Sequence, residues 1–197
     1  MKRLFTIVAV AVMILLAVKA NAQLTFHAGW QDAKYDITWE GEGSENVNLT
    51  GFYAGATYDF DLGMASIFLT PGAELSYCTY KAEYGDDLKQ LDLRLRFWGR
   101  WNKSITEKIV FGLFAGPSVN VGISGNVYDS DHYNDSYVGD LIGDLKRADL
   151  GFTFGAQLRY NKIGIEGGYN LGLLNRSKDY GQDITFHTIF VGLNFII

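Results

Sequence analysis

The sequence is poor in cysteine and in positive charge, and each shortage excludes a class of protein. Its single cysteine, Cys78, cannot form an internal disulfide, so the chain is not a disulfide scaffold. Beyond residue 23 there is no hydrophobic run as long as a transmembrane helix and almost no helical periodicity. This part of the chain carries 14 Lys and Arg against 22 Asp and Glu, a net charge of −8 that argues against a nucleic-acid surface.

The first 22 residues have the layout of a secretory signal peptide. Lys2 and Arg3 precede an apolar run from Leu4 to Val18, and Ala20-Asn21-Ala22 forms a small-x-small cleavage site. The alternative is an N-terminal membrane anchor, but a run of about 15 residues is short for a span, which needs about 20. No lipobox cysteine follows. We therefore predict a signal peptide at 1–22 and one exported domain at 23–197.

Glycine and aromatic residues are abundant in the exported part, and the apolar residues follow a period of two. The full chain has 23 Gly, 12 Tyr and 13 Phe, all but Phe5 in the exported part, and this composition recurs in membrane β-barrels. In the first strand-like segment the apolar positions are even-numbered up to Trp30 and odd-numbered from Ala33, which predicts a β-bulge near Gln31. The eight alternating segments are 24–39, 47–60, 65–80, 91–101, 109–123, 149–160, 163–173 and 185–197.

The predicted connections between these segments alternate in length. Short connections fall near 61–64, 102–108 and 161–162, and long ones near 40–46, 81–88, 124–147 and 174–183. An even number of strands, with short turns at one end and long loops at the other, is the layout of an outer-membrane barrel. The sequence therefore predicts an all-β fold, an eight-stranded antiparallel up-and-down transmembrane β-barrel in the bacterial outer membrane, with both chain ends on the periplasmic side.

The stretch LDLRLRFWGRW, residues 91–101, shows the two faces of such a barrel. Its apolar side chains alternate with one acid and three arginines. In a membrane barrel the charged face points into the lumen, which in eight strands is just wide enough for side chains to fill it. Because buried charges need partners, we predict a network of paired charges there. Its members are Glu74, Asp92, Arg94, Arg96, Arg100, Arg159 and Glu166.

A soluble barrel would reverse the two faces, and the charged face alone does not decide between them. Three features favour the membrane. The apolar faces would overfill so narrow a lumen. The last strand ends in Phe195-Ile196-Ile197, similar to the C-terminal signal that barrel-insertion machinery reads. Aromatic residues lie near the short turns, as in an interfacial girdle, namely Tyr58, Phe60, Trp101 and Tyr160.

Residues 149–175, DLGFTFGAQLRYNKIGIEGGYNLGLLN, resemble the Bacteroidetes outer-membrane β-barrel family that includes PorT. The stretch FGLFAGPSVNVGISG at 111–125 is also similar to that family. The resemblance implies an eight-stranded outer-membrane barrel. PorT is tied to protein secretion and gliding, a role that fold alone does not transfer. The residues that carry the resemblance are Asp149, Gly151, Gly155, Tyr169, Gly172, Leu173 and Asn175.

Candidates for catalysis are few. A lipid-modifying enzyme would need a Ser–His pair near the outer leaflet, and His187 with Ser177 is the candidate pair. No Gly-x-Ser-x-Gly motif supports a nucleophile, so an interfacial or solvent-facing His187 is the simpler interpretation. The other histidines are His27 and His132, and Cys78 is expected to be a small lumen residue.

The long loop at 124–147 offers oxygen ligands and aromatic side chains. Asp129, Asp131, Asn134 and Asp135 could hold Ca²⁺, but an EF-hand would need a Gly at the sixth position and a Glu at the twelfth. We therefore expect a solvated acidic loop, with no metal and no cofactor. Three tyrosines could bind a partner or pack over the barrel mouth, namely Tyr128, Tyr133 and Tyr137.

These features predict a non-enzymatic outer-membrane barrel with a packed polar lumen and with extracellular loops that serve structural or interaction roles. The expected partners are outer-membrane lipid, including lipopolysaccharide, and a protein bound through loops 124–147 and 174–183, with no nucleic acid. The alternatives are a PorT-like component of a protein secretion system, a small-solute pore, a soluble ligand-binding barrel and a lipid-modifying enzyme.

Overall fold

A computed structural model describes residues 23–41, 43–64, 66–81, 87–128, 145–178 and 181–197. None of the helical segments in these ranges has the length and hydropathy that a membrane crossing requires. A single 3-10 turn, Asn126–Tyr128, follows the fifth strand. The strands are β1 Gln23–Trp39, β2 Gly43–Met64, β3 Ile67–Tyr80, β4 Leu88–Ser104, β5 Ile109–Ser124, β6 Ala148–Tyr160, β7 Ile163–Gly172 and β8 Gln182–Ile196.

The eight strands form a closed antiparallel barrel. Each strand pairs with the next along the chain, and β8 pairs with β1. The connections at 65–66, 105–108 and 161–162 lie at one end together with Gln23 and Ile197, and we call this the inner end. The connections at 40–42, 81–87, 125–147 and 173–181 lie at the opposite, outer end. The predicted eight-stranded up-and-down barrel is confirmed.

The polar faces of the strands point into the lumen and the apolar faces point outward. In β8, Thr188 and Asn194 are at most 3% exposed, whereas Leu193 between them is 61% exposed. Among the described residues 30 large hydrophobic side chains are exposed. Such a surface is unstable in water and suits lipid, so the soluble barrel with reversed faces is excluded.

The predicted bulge near Gln31 is wrong. β1 pairs with both β2 and β8 in an unbroken register from Thr25 to Trp39, and its odd-numbered side chains point inward throughout. The apolar residues change phase because the lumen itself becomes apolar towards the outer end, where Ala33 and Tyr35 are buried inside it. The register shifts instead in β2 near Asp61 and in β4 near Leu91.

The connection between β1 and β2 is also shorter than the predicted loop at 40–46. The ladder continues to Trp39↔Gly43, so only 40–42 connects the strands. Residues 43–46 have no apolar alternation because both of their faces are exposed. Residues 61–64, predicted as a turn, also belong to β2, and both of their faces are exposed as well.

Candidate functional site: the lumen and the outer wall

At mid-height the lumen is crossed by an ion-paired cluster centred on Glu74. The register of β3 and β4 places Glu74 directly opposite Arg94. Arg94 Nη1 donates to Glu74 Oε1 at 3.0 Å, and Arg96 Nη2 pairs with Glu74 Oε2. His27 Nε2 lies 3.7 Å from the same Oε2. All four side chains are buried, so each charge depends on these partners for its stabilisation.

Arg94 also connects this cluster to the neighbouring strand β5 and to β8 across the lumen. Its Nε donates to Asn120 Oδ1 at 2.8 Å, and its Nη2 to Thr188 Oγ1 at 3.4 Å. Asn120 lies on β5 and Thr188 on β8. The guanidinium thus spans the lumen, as the planar, five-donor geometry of arginine allows.

An aromatic layer fills the lumen next to this cluster. The Arg96 guanidinium carbon lies 4.4 Å from the Trp98 ring centroid, 5.2 Å from that of Phe190 and 5.6 Å from that of Tyr53. Trp98 stacks on Phe114 at 4.3 Å between centroids. These cation–π and stacking contacts place a guanidinium and four aromatic rings across the lumen.

Glycine at position 155 makes room for one ring of this layer. A Cβ added there would lie 2.5 Å from Phe114 Cζ, so a larger residue would displace the ring. Gly168 has the same relation to Phe190, with a distance of 2.7 Å to its Cζ. The glycines of the two strands therefore allow the aromatic rings to lie across the lumen.

Towards the inner end, Arg100 pairs with a carboxylate that sequence reasoning missed. Arg100 Nη1 lies 2.8 Å from Asp59 Oδ2, and Thr70 donates to Asp59 Oδ1 at 2.8 Å. Asp59 lies between Tyr58 and Phe60, and its inward direction follows from the alternation that those two aromatics set. The prediction treated Tyr58 and Phe60 as girdle residues and did not include Asp59 between them.

Three further predicted network members, Glu166, Asp92 and Arg159, lie inside the barrel apart from these two ion-paired groups. Glu166 accepts from Tyr53 Oη at 3.3 Å and from Asn194 Nδ2 at 3.4 Å, and Asp92 Oδ2 accepts from Gln90. Arg159 lines an inner-end cavity of about 560 Å³. Among the described residues no carboxylate lies within ion-pair distance of it. Of the seven residues predicted as one network, Glu74, Arg94 and Arg96 share ion pairs, whereas Arg100 pairs with Asp59.

The outer end of the lumen is closed by an apolar cluster and a buried arginine. Arg176, in the connection between β7 and β8, lies 5.2 Å from the Phe186 centroid and donates to Tyr35 Oη at 3.3 Å. Its backbone N–H donates to Ile184 O, which holds the connection over the mouth. Sequence reasoning did not find Arg176, because a loop has no periodicity to indicate direction. The buried apolar residues are Ala33, Tyr35, Ile37, Val47, Leu49, Cys78, Leu88, Val127, Leu145, Ile184 and Phe186.

The residues that carry the family resemblance lie in the lumen, in the connection between β7 and β8, and on the outer wall. Asp149 is buried in the lumen, where Gly151 and Gly155 also face inward, and Gly172 follows near the end of β7. Asn175 Oδ1 accepts from the N–H groups of Ser177 and Ile184, at 2.8 and 3.0 Å. Tyr169 and Leu173 lie on the outer wall, and the Tyr169 ring stacks on His187.

His187 does not form a pair with Ser177. The Ser177 hydroxyl is buried and donates to Gln182 Oε1 at 3.1 Å. His187 Nε2 instead lies 3.3 Å from Thr185 Oγ1 and 3.4 Å from Asp36 Oδ2 on the outer wall. In a catalytic triad the acid orients one ring nitrogen while the other takes the proton. Here one nitrogen faces both groups, which does not support nucleophilic catalysis.

The predicted aromatic girdle lies at the inner edge of the outer wall. Tyr58 and Phe60 pack at 5.1 Å between centroids, and Trp101 and Tyr160 are 40% and 57% exposed. At the outer edge Trp30 packs edge-on against Phe52 and donates to Asp32 at 3.3 Å. The apolar belt is thus bounded by amphipathic rings on both sides.

The predicted oxygen ligands Asp129, Asp131, Asn134 and Asp135 lie outside the described residues, with His132, Tyr133 and Tyr137. Tyr128 ends the 3-10 turn. Within the ranges that the structure describes, no group of three His, Cys, Asp or Glu side chains could hold a metal ion.

Comparison with known proteins identifies the architecture. No family model matches the sequence, and no curated protein matches it. Neisserial surface protein A (NspA) aligns at a TM-score of 0.51 and 13% identity, over 89% of this chain and 99% of that chain. The outer membrane enzyme PagL aligns at 0.51 and 11%, over 90% and 100%.

This chain has the fold of an outer-membrane β-barrel. At these identities the likeness shows the fold alone, and it covers nearly the whole of both solved barrels. The apolar outer wall and this fold together place the barrel in a bacterial outer membrane, as the sequence predicts. No family model supports the PorT-like family specifically.

Proposed function

We propose that this outer-membrane barrel is a non-enzymatic interaction protein with a closed lumen, whose function is carried by its outer end. The observation that supports this best is the filling of the lumen by large buried side chains. The aromatic layer around Arg96 and the apolar cluster around Arg176 obstruct the lumen at two separate heights. A pore for small solutes would need both to open. The outer end and the outer wall then remain as the surfaces on which such a barrel can act.

Charge balance inside the barrel supports the same proposal. Among the described residues, five arginines and five carboxylates are buried or part-buried inside the barrel, and Asp61 lines the inner-end cavity beside Arg159, so the lumen has no large excess of either charge that would select ions. The arginines are Arg94, Arg96, Arg100, Arg159 and Arg176, and the carboxylates are Asp59, Glu74, Asp92, Asp149 and Glu166.

The proposed partners are outer-membrane lipid, including lipopolysaccharide, and a protein that contacts the loops at 124–147 and 174–183. On the outer wall, Lys34 and His187 flank Asp36 just beyond the apolar belt, where lipid headgroups lie. Removal of residues 1–22 as a signal peptide is part of the proposal. A role in a secretion system rests only on the sequence resemblance, and co-purification with secretion components would be its test.

Single-channel recording in planar bilayers tests the closed lumen. The expected result is an unchanged baseline for wild-type protein, under conditions where a known porin conducts. Regular, voltage-independent channel steps from wild-type protein would overturn the proposal and favour the small-solute pore. The variant Trp98→Ala serves as a comparison, since it removes the ring that stacks on Phe114 in the aromatic layer.

A further inference from the structure

The inner mouth of the lumen is a polar cavity of about 560 Å³. Residues of the six strands β1 to β6 line it, together with one residue of the β2–β3 connection. Because a water molecule takes up about 30 Å³ of the liquid, this cavity has room for a small solute. We call it the vestibule, and its lining residues are Gln23, Asp61, Ser66, Phe68, Asn102, Ser104, Val110 and Arg159.

Arg159 is the cation of the vestibule, and it has no counterion in contact with it. The register of β6 places Arg159 between Val110 and Gly164, neither of which has a polar side chain. Within the described ranges its guanidinium takes part in no ion pair, and its Nη1 atom is buried without a hydrogen-bond partner. A buried donor without an acceptor costs free energy, and an anion that enters the vestibule would remove this cost.

The charges nearest to the vestibule do not take the place of such an anion. Arg100 pairs with Asp59 deeper in the lumen, at 2.8 Å. Asp61 also lines the vestibule, but it lies on β2, which is four strands from β6 in the ring of eight. Its Oδ1 accepts a hydrogen bond from the Gly63 N–H at 2.8 Å. The vestibule thus has a cationic wall at Arg159 and an acidic wall opposite.

Neutral donors lie on the same side of the vestibule as Arg159. Ser104 and Arg159 flank Val110 in one row across β4, β5 and β6. Asn102 Oδ1 accepts from Gln157 Nε2 at 3.3 Å, so the Asn102 NH2 group can donate to another acceptor. A guanidinium fork with hydroxyl and amide donors beside it is suited to the several oxygens of a phosphate or carboxylate.

Exposed lysines surround this end of the barrel, although the exported chain as a whole is acidic. Residues 103–108 and 160–163, which form or adjoin two of the inner connections, contain three lysines and a single carboxylate. Such a local excess of positive charge raises the concentration of anions at the mouth. The lysines are Lys103, Lys108 and Lys162, and the carboxylate is Glu107.

We propose that the vestibule is an oxyanion site, in which the Arg159 guanidinium binds a phosphate or carboxylate group of a soluble molecule that enters at the inner end. This inference goes beyond the proposed function. It adds a binding site at the end that is predicted to be periplasmic, and the obstructed lumen separates this site from the outer end.

The test is a titration of inorganic phosphate into ¹⁵N-labelled barrel, purified from outer membranes into maltoside micelles and kept at constant ionic strength. Nuclear magnetic resonance is expected to show saturable shifts of the Arg159 side-chain signal and of the Val110 and Gly164 amides. The expected dissociation constant is about 1 mM, as suits a contact with one guanidinium. Acetate is expected to shift the same signals, and chloride at equal ionic strength to shift none.

Three variants assign the binding to the vestibule. Arg159→Gln is expected to weaken phosphate binding about ten-fold or more, because it removes the charged donor. Lys162→Gln removes an exposed charge from the same end and is the matched control, with an expected change of less than about two-fold. Asp61→Asn removes a like charge and is expected to leave binding equal or tighter. Heat-modifiable gel mobility shows independently that each variant is folded.

Four results would overturn the inference. Shifts that do not saturate and that spread over the exposed lysines would show non-specific binding only. Phosphate affinity that is insensitive to Arg159→Gln would place the anion elsewhere. Weaker binding by Asp61→Asn would show that the acidic wall holds the ligand. Binding in micelles that is lost in phosphatidylcholine nanodiscs would assign Arg159 to a lipid headgroup instead of a soluble molecule.

Discussion

Arg94 and Glu74 lie directly opposite each other in the β3–β4 ladder, and both are buried inside the barrel. Arg94 Nη1 lies 3.0 Å from Glu74 Oε1. Arg96 pairs with the other oxygen of the same carboxylate. One acid thus compensates two buried guanidinium groups. Their arrangement explains why a strand with three arginines can cross a membrane: its charges are paired in the lumen, away from lipid.

Replacement of Glu74 is expected to be strongly destabilising. Glu74→Ala would leave Arg94 and Arg96 buried without their carboxylate, at a cost of about 3–5 kcal/mol in the free energy of unfolding. Urea unfolding in lipid vesicles, followed by tryptophan fluorescence, would measure this. Asp183→Asn removes a carboxylate from an exposed position and is expected to change the same quantity by less than about 0.5 kcal/mol. Equal effects of the two substitutions would contradict the role of the cluster.

Gly155 is expected not to tolerate even a methyl group. The Cβ of Gly155→Ala would lie 2.3 Å from Gly167 O on β7 and 2.5 Å from Phe114 Cζ, so both the neighbouring strand and the ring would have to move. We expect a loss of about 1–3 kcal/mol in unfolding free energy. Gly99→Ala is the matched control, because the nearest atom to its added Cβ is 3.8 Å away. A stable Gly155→Ala barrel would mean that the aromatic layer is not closely packed there.

The outward direction of Leu193 predicts a large penalty for charge at this position. Leu193 is 61% exposed within the apolar belt, so Leu193→Arg would place a guanidinium in hydrocarbon at a cost of about 2–4 kcal/mol. Thr38→Arg, on the exposed outer part of β1, is the control and is expected to be nearly neutral. Unfolding in vesicles compares them. A neutral Leu193→Arg would contradict contact of this face with lipid.

Arg176 is expected to hold the β7–β8 connection over the mouth of the barrel. In Arg176→Met the guanidinium contacts with Tyr35 and Phe186 are lost. Amide hydrogen exchange should then become faster around residues 173–181, because the hydrogen bond from Arg176 to Ile184 opens more often. Exchange near Arg94 should remain slow. Unchanged exchange in the connection would show that the arginine does not hold the cap.

Period-two alternation was sufficient to predict the barrel and the direction of its faces. In β4 every charged residue between Asp92 and Arg100 is buried, as the alternation indicates. The same rule misled at Gln31, since it assumed one polarity along the whole lumen. The lumen changes from polar to apolar near its outer end. In the sequence this change shifts the phase of the apolar residues, as a bulge would.

Partners within the lumen were less predictable than directions. The alternation places Glu166 and Arg159 inside, but only the strand register determines which side chains meet. Glu166 thus contacts Tyr53 and Asn194, although an arginine was expected. The outer part of β2 was missed for a related reason: its polar residues resemble a loop in the sequence.

Cell fractionation with a heat-modifiability assay tests most directly whether this chain is a transmembrane barrel with a polar lumen. We expect the protein in the outer-membrane fraction after an alkaline wash, with different gel mobility before and after boiling. This result would agree with arginines inside and leucines against lipid. A soluble periplasmic protein without a mobility shift would contradict it. In such a protein the 30 large hydrophobic side chains that are exposed among the described residues would have to face water, which is unfavourable.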